Sequence, residues 1–155
     1  MKLYEVMKRP VVSVPSDYSV SRAAQVMGDT GFGFLAVVDR GVVVGVLTGK
    51  DLAIRAAAKK VSLDTTVVAG IMSHPPIWLN DGADVEDAIV VMRKHSIRRV
   101  LVTDAVGDVV GVVGMADLEG NVADEAIERA LERHAPVPSH RIEPDPFGIP
   151  GLYLG

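Results

Sequence analysis

Two short segments of the sequence carry an acid just after a valine-rich run, where a helix is predicted to begin. The first is Gly45-Val46-Leu47-Thr48-Gly49-Lys50-Asp51, and the second, 111–117, repeats its glycine and its acid. A carboxylate in this place can accept hydrogen bonds from both hydroxyls of a ribose, and the Thr48 hydroxyl can donate to a phosphate or ribose oxygen. Thr48-x-x-Asp51 is also a capping-box pattern, in which both side chains satisfy helix backbone groups. From these residues alone, both interpretations stay open.

The same unit occurs twice in the chain. Residues 7–40 align with 72–105, and 41–52 align with 107–118, with Val106 as the single inserted residue; 15 of these 46 positions are identical. Four of the identical pairs are glycine or aspartate at turn positions, where backbone geometry restricts the residue type. The sequence therefore predicts an internal duplication.

Each copy predicts the element order β-α-β-β-α. A short extended run follows Pro10 or Pro75, and a helix then begins after Ser19 or Asp84, both good N-cap residues. Two β-branched runs joined by a glycine-containing turn predict a hairpin, and a second helix begins near Asp51 or its counterpart. The predicted class is α/β, more narrowly α+β. The two repeats are expected to pack pseudo-symmetrically into one module, because neither alone buries both faces of a three-stranded sheet.

The chain divides into five predicted segments. The first repeat spans 3–60, a linker spans 61–70 and the second repeat spans 71–120. An amphipathic helix is predicted over 121–134. The segment 135–155 contains five of the nine prolines and is predicted to be a tail that is either extended against a partner surface or disordered.

Composition excludes several classes of function. The 155 residues have a net charge of −4 and no cysteine, and no apolar run approaches the roughly 20 residues of a membrane span. The charge predicts no attraction to nucleic acid, and the absence of cysteine and of a secretory signal suits a cytoplasmic protein. The four histidines lack metal-ligand spacing, and no nucleophile elbow or Walker loop is present, so we predict neither a metal site nor catalysis.

The duplicated unit resembles a known family. Segments 6–10 and 71–75, in each of which a methionine precedes a proline by three residues, look like the entry to a cystathionine β-synthase (CBS) domain, and so do 91–104 with 111–118. Two such domains in tandem resemble a CBS pair, or Bateman module, over about residues 3–120. The resemblance implies a regulatory module that binds an adenosine ligand in clefts between its repeats and associates into a homodimer.

The resemblance also implies roles for individual residues. Asp51 and Asp117 correspond to the ribose-binding acid of the family. Arg98 and Arg99 correspond to positions where basic residues contact phosphates, but adjacent residues alternate across a strand, so only one of the two can face a cleft. The other predicted nucleotide-binding residues are two walls of an adenine pocket and one residue near the phosphates: Ile77, Ile97 and His74.

The clefts expected for the family are composite, which makes the two sites unequal. One would combine Thr48 and Asp51 with an arginine of the second repeat. The other would combine Asp117 with the uncharged Gly33 and Phe34 of the first repeat. We therefore expect one competent nucleotide site per chain and one degenerate site.

The sequence thus predicts a stand-alone sensor that binds AMP, ADP or ATP and acts on an unidentified regulated protein. NAD and S-adenosylmethionine are further adenosine ligands that the resemblance allows, and no cofactor is required. Neither nucleic acid nor a membrane is an expected partner. The alternative prediction is a nucleotide-free dimeric scaffold that acts through its C-terminal helix and tail.

Overall fold

The fold consists of two compact units. A computed structural model describes residues 1–118 and 122–133. Among these residues, the repeat-1 unit is Val12–Pro76, and the repeat-2 unit combines Met1–Val11 with the described residues that follow Pro76. Each unit holds one three-stranded sheet, so the predicted mixed α+β class with two copies of one unit is confirmed.

The helices and strands follow the predicted β-α-β-β-α order in each copy. In chain order they are α1 (Leu3–Val6), β1 (Ser13–Pro15), α2 (Val20–Thr30), β2 (Phe34–Asp39), β3 (Val42–Thr48), α3 (Gly49–Asp51) with a π-helical turn (Leu52–Ala56), a 3-10 turn (Val68–Gly70), β4 (Trp78–Asn80), α4 (Val85–His95), β5 (Arg99–Thr103), β6 (Val109–Gly114), α5 (Met115–Leu118) and α6 (Asp124–Arg133).

Local sequence signals account for the boundaries in the repeat-1 unit. The Ser19 hydroxyl accepts the Arg22 N–H at 3.1 Å, so α2 begins at the predicted N-cap. Arg40 and Gly41 have φ angles of 49° and 78°, the positive values that a two-residue hairpin between β2 and β3 requires. Strand β2 lies between β1, which is parallel to it, and β3, which is antiparallel.

The repeat-2 unit has the same sheet. Strand β5 lies between parallel β4 and antiparallel β6, and the register of both hairpins shifts at the same place, after Val37 and after Val102. Helix α4 begins after Asp84, as predicted, and Asp84 forms an ion pair of 2.9 Å with Lys2. The two repeats therefore form the same sheet, although only one third of their aligned residues are identical.

Each unit has its own buried core. Val14, Leu35, Val37, Leu47 and Ile71 are among the residues that fill the repeat-1 core. The repeat-2 core draws on helices and strands of its unit, and its largest fully buried side chains include Leu3, Met92 and Leu118. Strands β2 and β5 are buried along most of their length, which fits their central position.

Helix α6 completes the repeat-2 unit. The amphipathic helix predicted over 121–134 is observed at Asp124–Arg133, and it packs against α4 with Ile127 and Ala130 buried. In the part of the chain that the structure describes, no helix combines the length and the hydropathy needed to cross a bilayer. The predicted tail 135–155 lies outside the described residues.

The entry segments, 6–10 and 71–75, are exchanged between the two repeats. Lys8 pairs with Val112 of β6 through two backbone hydrogen bonds of 2.9 and 3.1 Å, so the entry segment of the first repeat extends the second sheet. Ser73 pairs with Val46 of β3 through two bonds of 2.9 Å, so the entry segment of the second repeat extends the first sheet. Each acid therefore lies beside a segment that is distant in sequence.

Candidate functional site

The first acid, Asp51, is held at the point where β3 passes into α3. Its Oδ2 accepts the Thr48 N–H at 2.9 Å, and the Thr48 hydroxyl accepts the Asp51 N–H at 3.2 Å. These two bonds form a capping box, so the capping interpretation of Thr48-x-x-Asp51 is confirmed. The box fixes the carboxylate near the end of the strand without using all of its acceptor sites.

Two further groups contact the other oxygen of Asp51. The Ser73 hydroxyl donates to Oδ1 at 3.1 Å, and Nη1 of Arg55 lies 3.5 Å from the same atom. Arg55 also donates from Nη1 to the Ile71 carbonyl at 3.0 Å. Asp51 and Arg55 are 6% and 5% exposed, so this ion pair is screened little by solvent.

The second acid, Asp117, has the same relation to its strand but different partners. Its Oδ2 accepts the Gly114 N–H at 3.0 Å, which matches the bond between Asp51 and Thr48. Gly114 has no hydroxyl, so the second half of the capping box is absent here. The Oδ1 of Asp117 lies 2.6 Å from Nζ of Lys8 in the exchanged N-terminal segment.

The electrostatic environment of Asp117 stabilises its charged form. Burial raises the pKa of this carboxyl, but hydrogen bonds from Lys8 and from the Gly114 N–H, with the charges of Lys8 and Arg99, outweigh burial and lower the pKa below its ordinary value. The side chains of Lys8 and Asp117 are 65% and 20% exposed, so the cation beside this acid is open to solvent.

The exchanged segments place equivalent residues on the two acids. Lys8 aligns with Ser73, one residue after Met7 and Met72, and each contacts the acid of the sheet on which its segment lies. The cation in the repeat-1 unit comes instead from Arg55, within the π-helical turn that follows Asp51. The two acids thus share their backbone contact and differ in the source and exposure of their positive partner.

The predicted site residues divide between the two units. Thr48, Asp51 and His74 belong to the repeat-1 unit, where His74 is partly exposed. Ile77 and Ile97 belong to the repeat-2 unit and pack against its core while staying partly exposed. The composite cleft that would join the two sets stays a prediction.

Arg98 and Arg99 differ in their relation to Asp117. Only Arg99 lies in β5, where it pairs with Gly114, and its charge contributes to the lowered pKa of Asp117. Arg98 precedes the strand, and its carbonyl accepts the Met115 N–H at 2.8 Å. Both side chains are exposed.

Sequence reasoning missed Lys8, Arg55 and Ser73 as partners of the acids. The alignment of Lys8 with Ser73 was a usable signal, but the sequence does not show on which sheet each segment lies. Arg55 follows Asp51 by four residues, which is the spacing of an ion pair on a helix, so this pair could have been predicted from the sequence. Among residues 1–118 and 122–133, no cluster of three or more histidine or acidic side chains could hold a metal ion.

Comparison with known proteins identifies the repeated unit. The family model for the CBS domain matches residues 3–57 and 68–124. The chain is 32% identical over 128 residues to the CBS domain-containing protein YhcV of Bacillus subtilis (strain 168), a match that covers 82% of this chain and 90% of YhcV.

Two solved structures of CBS proteins are similar to the chain. The CBS domain protein PAE2072 from Pyrobaculum aerophilum, complexed with AMP, has a TM-score of 0.71 and 29% identity over 86% of this chain and 99% of PAE2072. The CBS domain pair of MJ0100, in complex with 5′-methylthioadenosine and S-adenosyl-L-methionine, has a TM-score of 0.68 and 26% identity over 76% of this chain and 92% of that pair. With both repeats matched by the family model and both sheets present, the chain belongs to the CBS domain family and carries two of these domains in tandem.

Proposed function

We propose that this chain is a regulatory module that binds an adenosine nucleotide, AMP, ADP or ATP, and performs no catalysis itself. The observation that carries the proposal is the pair of acids, Asp51 and Asp117, each fixed by a backbone N–H at the end of the third strand of its sheet. The similar proteins PAE2072 and MJ0100, which hold AMP in one case and two adenosine compounds in the other, support this class of ligand.

In this proposal the acids recognise the ribose. An ionised carboxylate that is held in one orientation accepts hydroxyl hydrogen bonds more strongly than a neutral acceptor. Asp51 has the Thr48 hydroxyl beside it, and Asp117 has Gly114 in the corresponding place, so the hydroxyl supports the choice of Asp51 as the principal ribose acid.

The phosphates and the adenine require further residues, which we assign from the family. Arg98 and Arg99 are exposed and can bind phosphate oxygens. Ile77 and Ile97 keep part of their apolar surface accessible for an adenine ring, and His74 would lie near the phosphates. This assignment keeps one competent site at Asp51 and treats the site at Asp117 as weaker.

Regulation requires that the ligand bind two conformations with different affinity. We propose that ligand binding changes how two repeats, or two chains of a homodimer, are arranged, and that an unidentified protein responds to this change. Size-exclusion chromatography with light scattering, with and without AMP, tests the dimer and its response to ligand.

Isothermal titration calorimetry and thermal unfolding with AMP, ADP, ATP, NAD and S-adenosylmethionine test the ligand class, with GMP as the control ligand. A ligand at about 100 times its Kd stabilises the folded state by about 2.7 kcal/mol. For a chain of this length that raises the Tm by about 5 to 10 °C. Nucleotide-free protein that responds to none of these ligands would contradict the proposal and favour the scaffold alternative.

Variants at the acids separate the two sites. Asp51→Asn keeps the shape of the side chain but removes its charge, and we expect about a 10- to 100-fold loss of AMP affinity. Asp117→Asn is expected to have a smaller effect. Asp29→Asn, on the exposed end of α2, is the matched control because it makes the same change in net charge at a residue to which we assign no contact with the ligand.

A further inference from the structure

A buried guanidinium in the repeat-1 unit has no part in the ligand contacts proposed above. Arg55 is 5% exposed, and its Nη1 donates to the Ile71 carbonyl at 3.0 Å and lies 3.5 Å from Oδ1 of Asp51. A cation at this depth is retained only where oxygen partners compensate its lost hydration. One of these oxygens belongs to the ribose acid itself, and the other belongs to the segment that leads to Ser73.

The contacts of Arg55 complete a frame around the Asp51 carboxylate. The end of β3 supplies the Thr48 N–H to Oδ2, the segment 71–73 supplies the Ser73 hydroxyl to Oδ1, and the π-helical turn supplies Arg55. A carboxylate has about four acceptor sites, so this frame leaves acceptor capacity on Oδ2 for a hydroxyl of a ligand. The frame orients the acid before any ligand arrives.

The second acid lacks this arrangement. In the alignment of the repeats, Arg55 corresponds to Asn121, so no cation follows Asp117 at the same spacing. The positive partner of Asp117 is Lys8, which is 65% exposed. An arginine buried behind one acid and an exposed lysine beside the other give the two acids different rigidity.

We propose that Arg55 is a positioning residue for the ribose acid: it fixes the Asp51 carboxylate in the orientation that accepts a ribose hydroxyl, and it ties this carboxylate to the segment Ile71–Ser73. The proposal rests on the function proposed above. Because Arg55 is buried, it acts through Asp51 and does not contact the ligand. Ordering the acid in advance removes an entropic cost from binding, and this gain applies only to ligands that use the acid.

Calorimetric titrations of the full chain with AMP and with 2′,3′-dideoxy-AMP test this inference. Wild-type protein is expected to bind AMP about tenfold more tightly than the dideoxy analogue, which lacks both ribose hydroxyls and therefore the one that Asp51 accepts. In Arg55→Met the AMP affinity is expected to fall about three- to tenfold, with the affinity for the dideoxy analogue unchanged. Arg55→Lys keeps the buried charge but not the planar group that reaches both oxygens, and we expect it to fold and to restore part of the loss.

An equal loss for both ligands in Arg55→Lys would overturn the positioning role and leave Arg55 a purely structural residue. Unchanged affinity for both ligands in Arg55→Met would overturn it as well. If Arg55→Met does not fold, the comparison is made with Arg55→Lys alone.

Amide hydrogen exchange without ligand separates failure of this inference from failure of the proposed function. If Arg55 positions the acid, the Thr48 amide, which donates to Asp51, exchanges about tenfold faster in Arg55→Lys. The Gly114 amide, which donates to Asp117, is the internal control and keeps its rate. Faster exchange at Thr48 in a protein that binds no nucleotide would support the tie between Arg55 and Asp51 and refute the nucleotide site. Unchanged exchange at Thr48 would refute the tie itself.

Discussion

Replacing Gly45 by alanine is expected to destabilise the repeat-1 unit, because the added Cβ has no room. A Cβ at this position would lie 2.7 Å from the Ser73 carbonyl oxygen and 2.7 Å from Sδ of Met72. The methionine can move, but the carbonyl is fixed, since Ser73 and Val46 exchange two backbone hydrogen bonds of 2.9 Å. Relief of the clash therefore requires that the segment shift away from β3.

The size of the effect follows from two opposing contributions. Overpacking of this kind costs about 1 to 3 kcal/mol. Alanine also reduces the conformational entropy of the unfolded chain, which stabilises the folded state by about 0.4 to 1 kcal/mol. Subtracting the two ranges gives a net loss in the free energy of unfolding of about 0 to 2.6 kcal/mol, and their middle values give about 1.3 kcal/mol. A loss of about 1.3 kcal/mol lowers the Tm by about 3 to 5 °C in a chain of this length.

Gly111 is the matched control, because it occupies the same position in the second repeat. A Cβ there would lie 2.5 Å from Sδ, 2.9 Å from Cγ and 3.0 Å from Cβ of Met7. A change of rotamer can move Sδ and Cγ, whereas the Met7 Cβ moves only with its backbone, and no backbone atom is among these three nearest atoms. We expect Gly111→Ala to cost less than Gly45→Ala. Urea unfolding of the wild type and both variants at one pH measures the difference. Equal losses, or a larger loss for Gly111→Ala, would refute the argument that a fixed carbonyl sets the cost.

Three further predictions concern the acids and one helix cap. Asp51→Ala leaves Arg55 buried without its carboxylate and is expected to cost about 3 to 5 kcal/mol in urea unfolding, whereas Asp117→Ala, beside an exposed cation, should cost about 1 to 2 kcal/mol. The pKa of Asp117 is lowered in the folded state, below the ordinary carboxyl value of 3.8. The stabilisation by Lys8, up to about 1 kcal/mol, is therefore fully present above pH 3.8 and is lost as the pH falls through the lowered pKa. The difference in stability between wild type and Lys8→Met should therefore shrink below about pH 4, and a constant difference down to pH 2 would contradict this. Ser19→Ala should cost about 1 kcal/mol and Ser19→Gly only a few tenths, and similar losses in circular-dichroism melts would show that the cap does not stabilise α2.

Local elements could be predicted from the sequence because their causes are local. Helices α2 and α4 begin after Ser19 and Asp84, where the apolar spacing predicts, and the Ser19 hydroxyl caps α2 as its residue type predicts. The turn at Arg40 and Gly41 follows from a glycine between two β-branched runs. The duplication strengthened each of these predictions, because the same signal had to occur twice at one spacing.

The exchange of the entry segments could not be predicted, because its cause is not local. Met7 and Met72 are equivalent in sequence, and each packs against a glycine that is itself duplicated, Gly111 or Gly45. Both possible pairings satisfy the same hydrophobic pattern and the same steric requirement, so the sequence does not choose between them. The choice depends on chain connections and on the packing of each unit.

The same limit applies to the partners of the acids. Whether Lys8 contacts Asp117 depends entirely on the exchange, since more than 100 residues separate the two in sequence. The pair Asp51 and Arg55 is local and could have been found from its i,i+4 spacing. Its burial could not, because the burial depends on Ile71 and the segment around it.

One duplicated pattern has thus produced two acids with different physical properties. The backbone bond to each carboxylate is the same, because it depends only on the turn from strand to helix. The positive partner is not part of that turn and differs between the repeats. Arg55 is buried and also donates to a carbonyl, whereas Lys8 is exposed where it contacts the acid. Separating Arg55 from Asp51 has a large cost, because both side chains are buried and solvent compensates neither charge. Lys8 can leave Asp117 at a cost of at most about 1 kcal/mol, because solvent compensates it. We therefore expect the site at Asp51 to be rigid before ligand binds, and the charge at Asp117 to rearrange readily when an anion approaches.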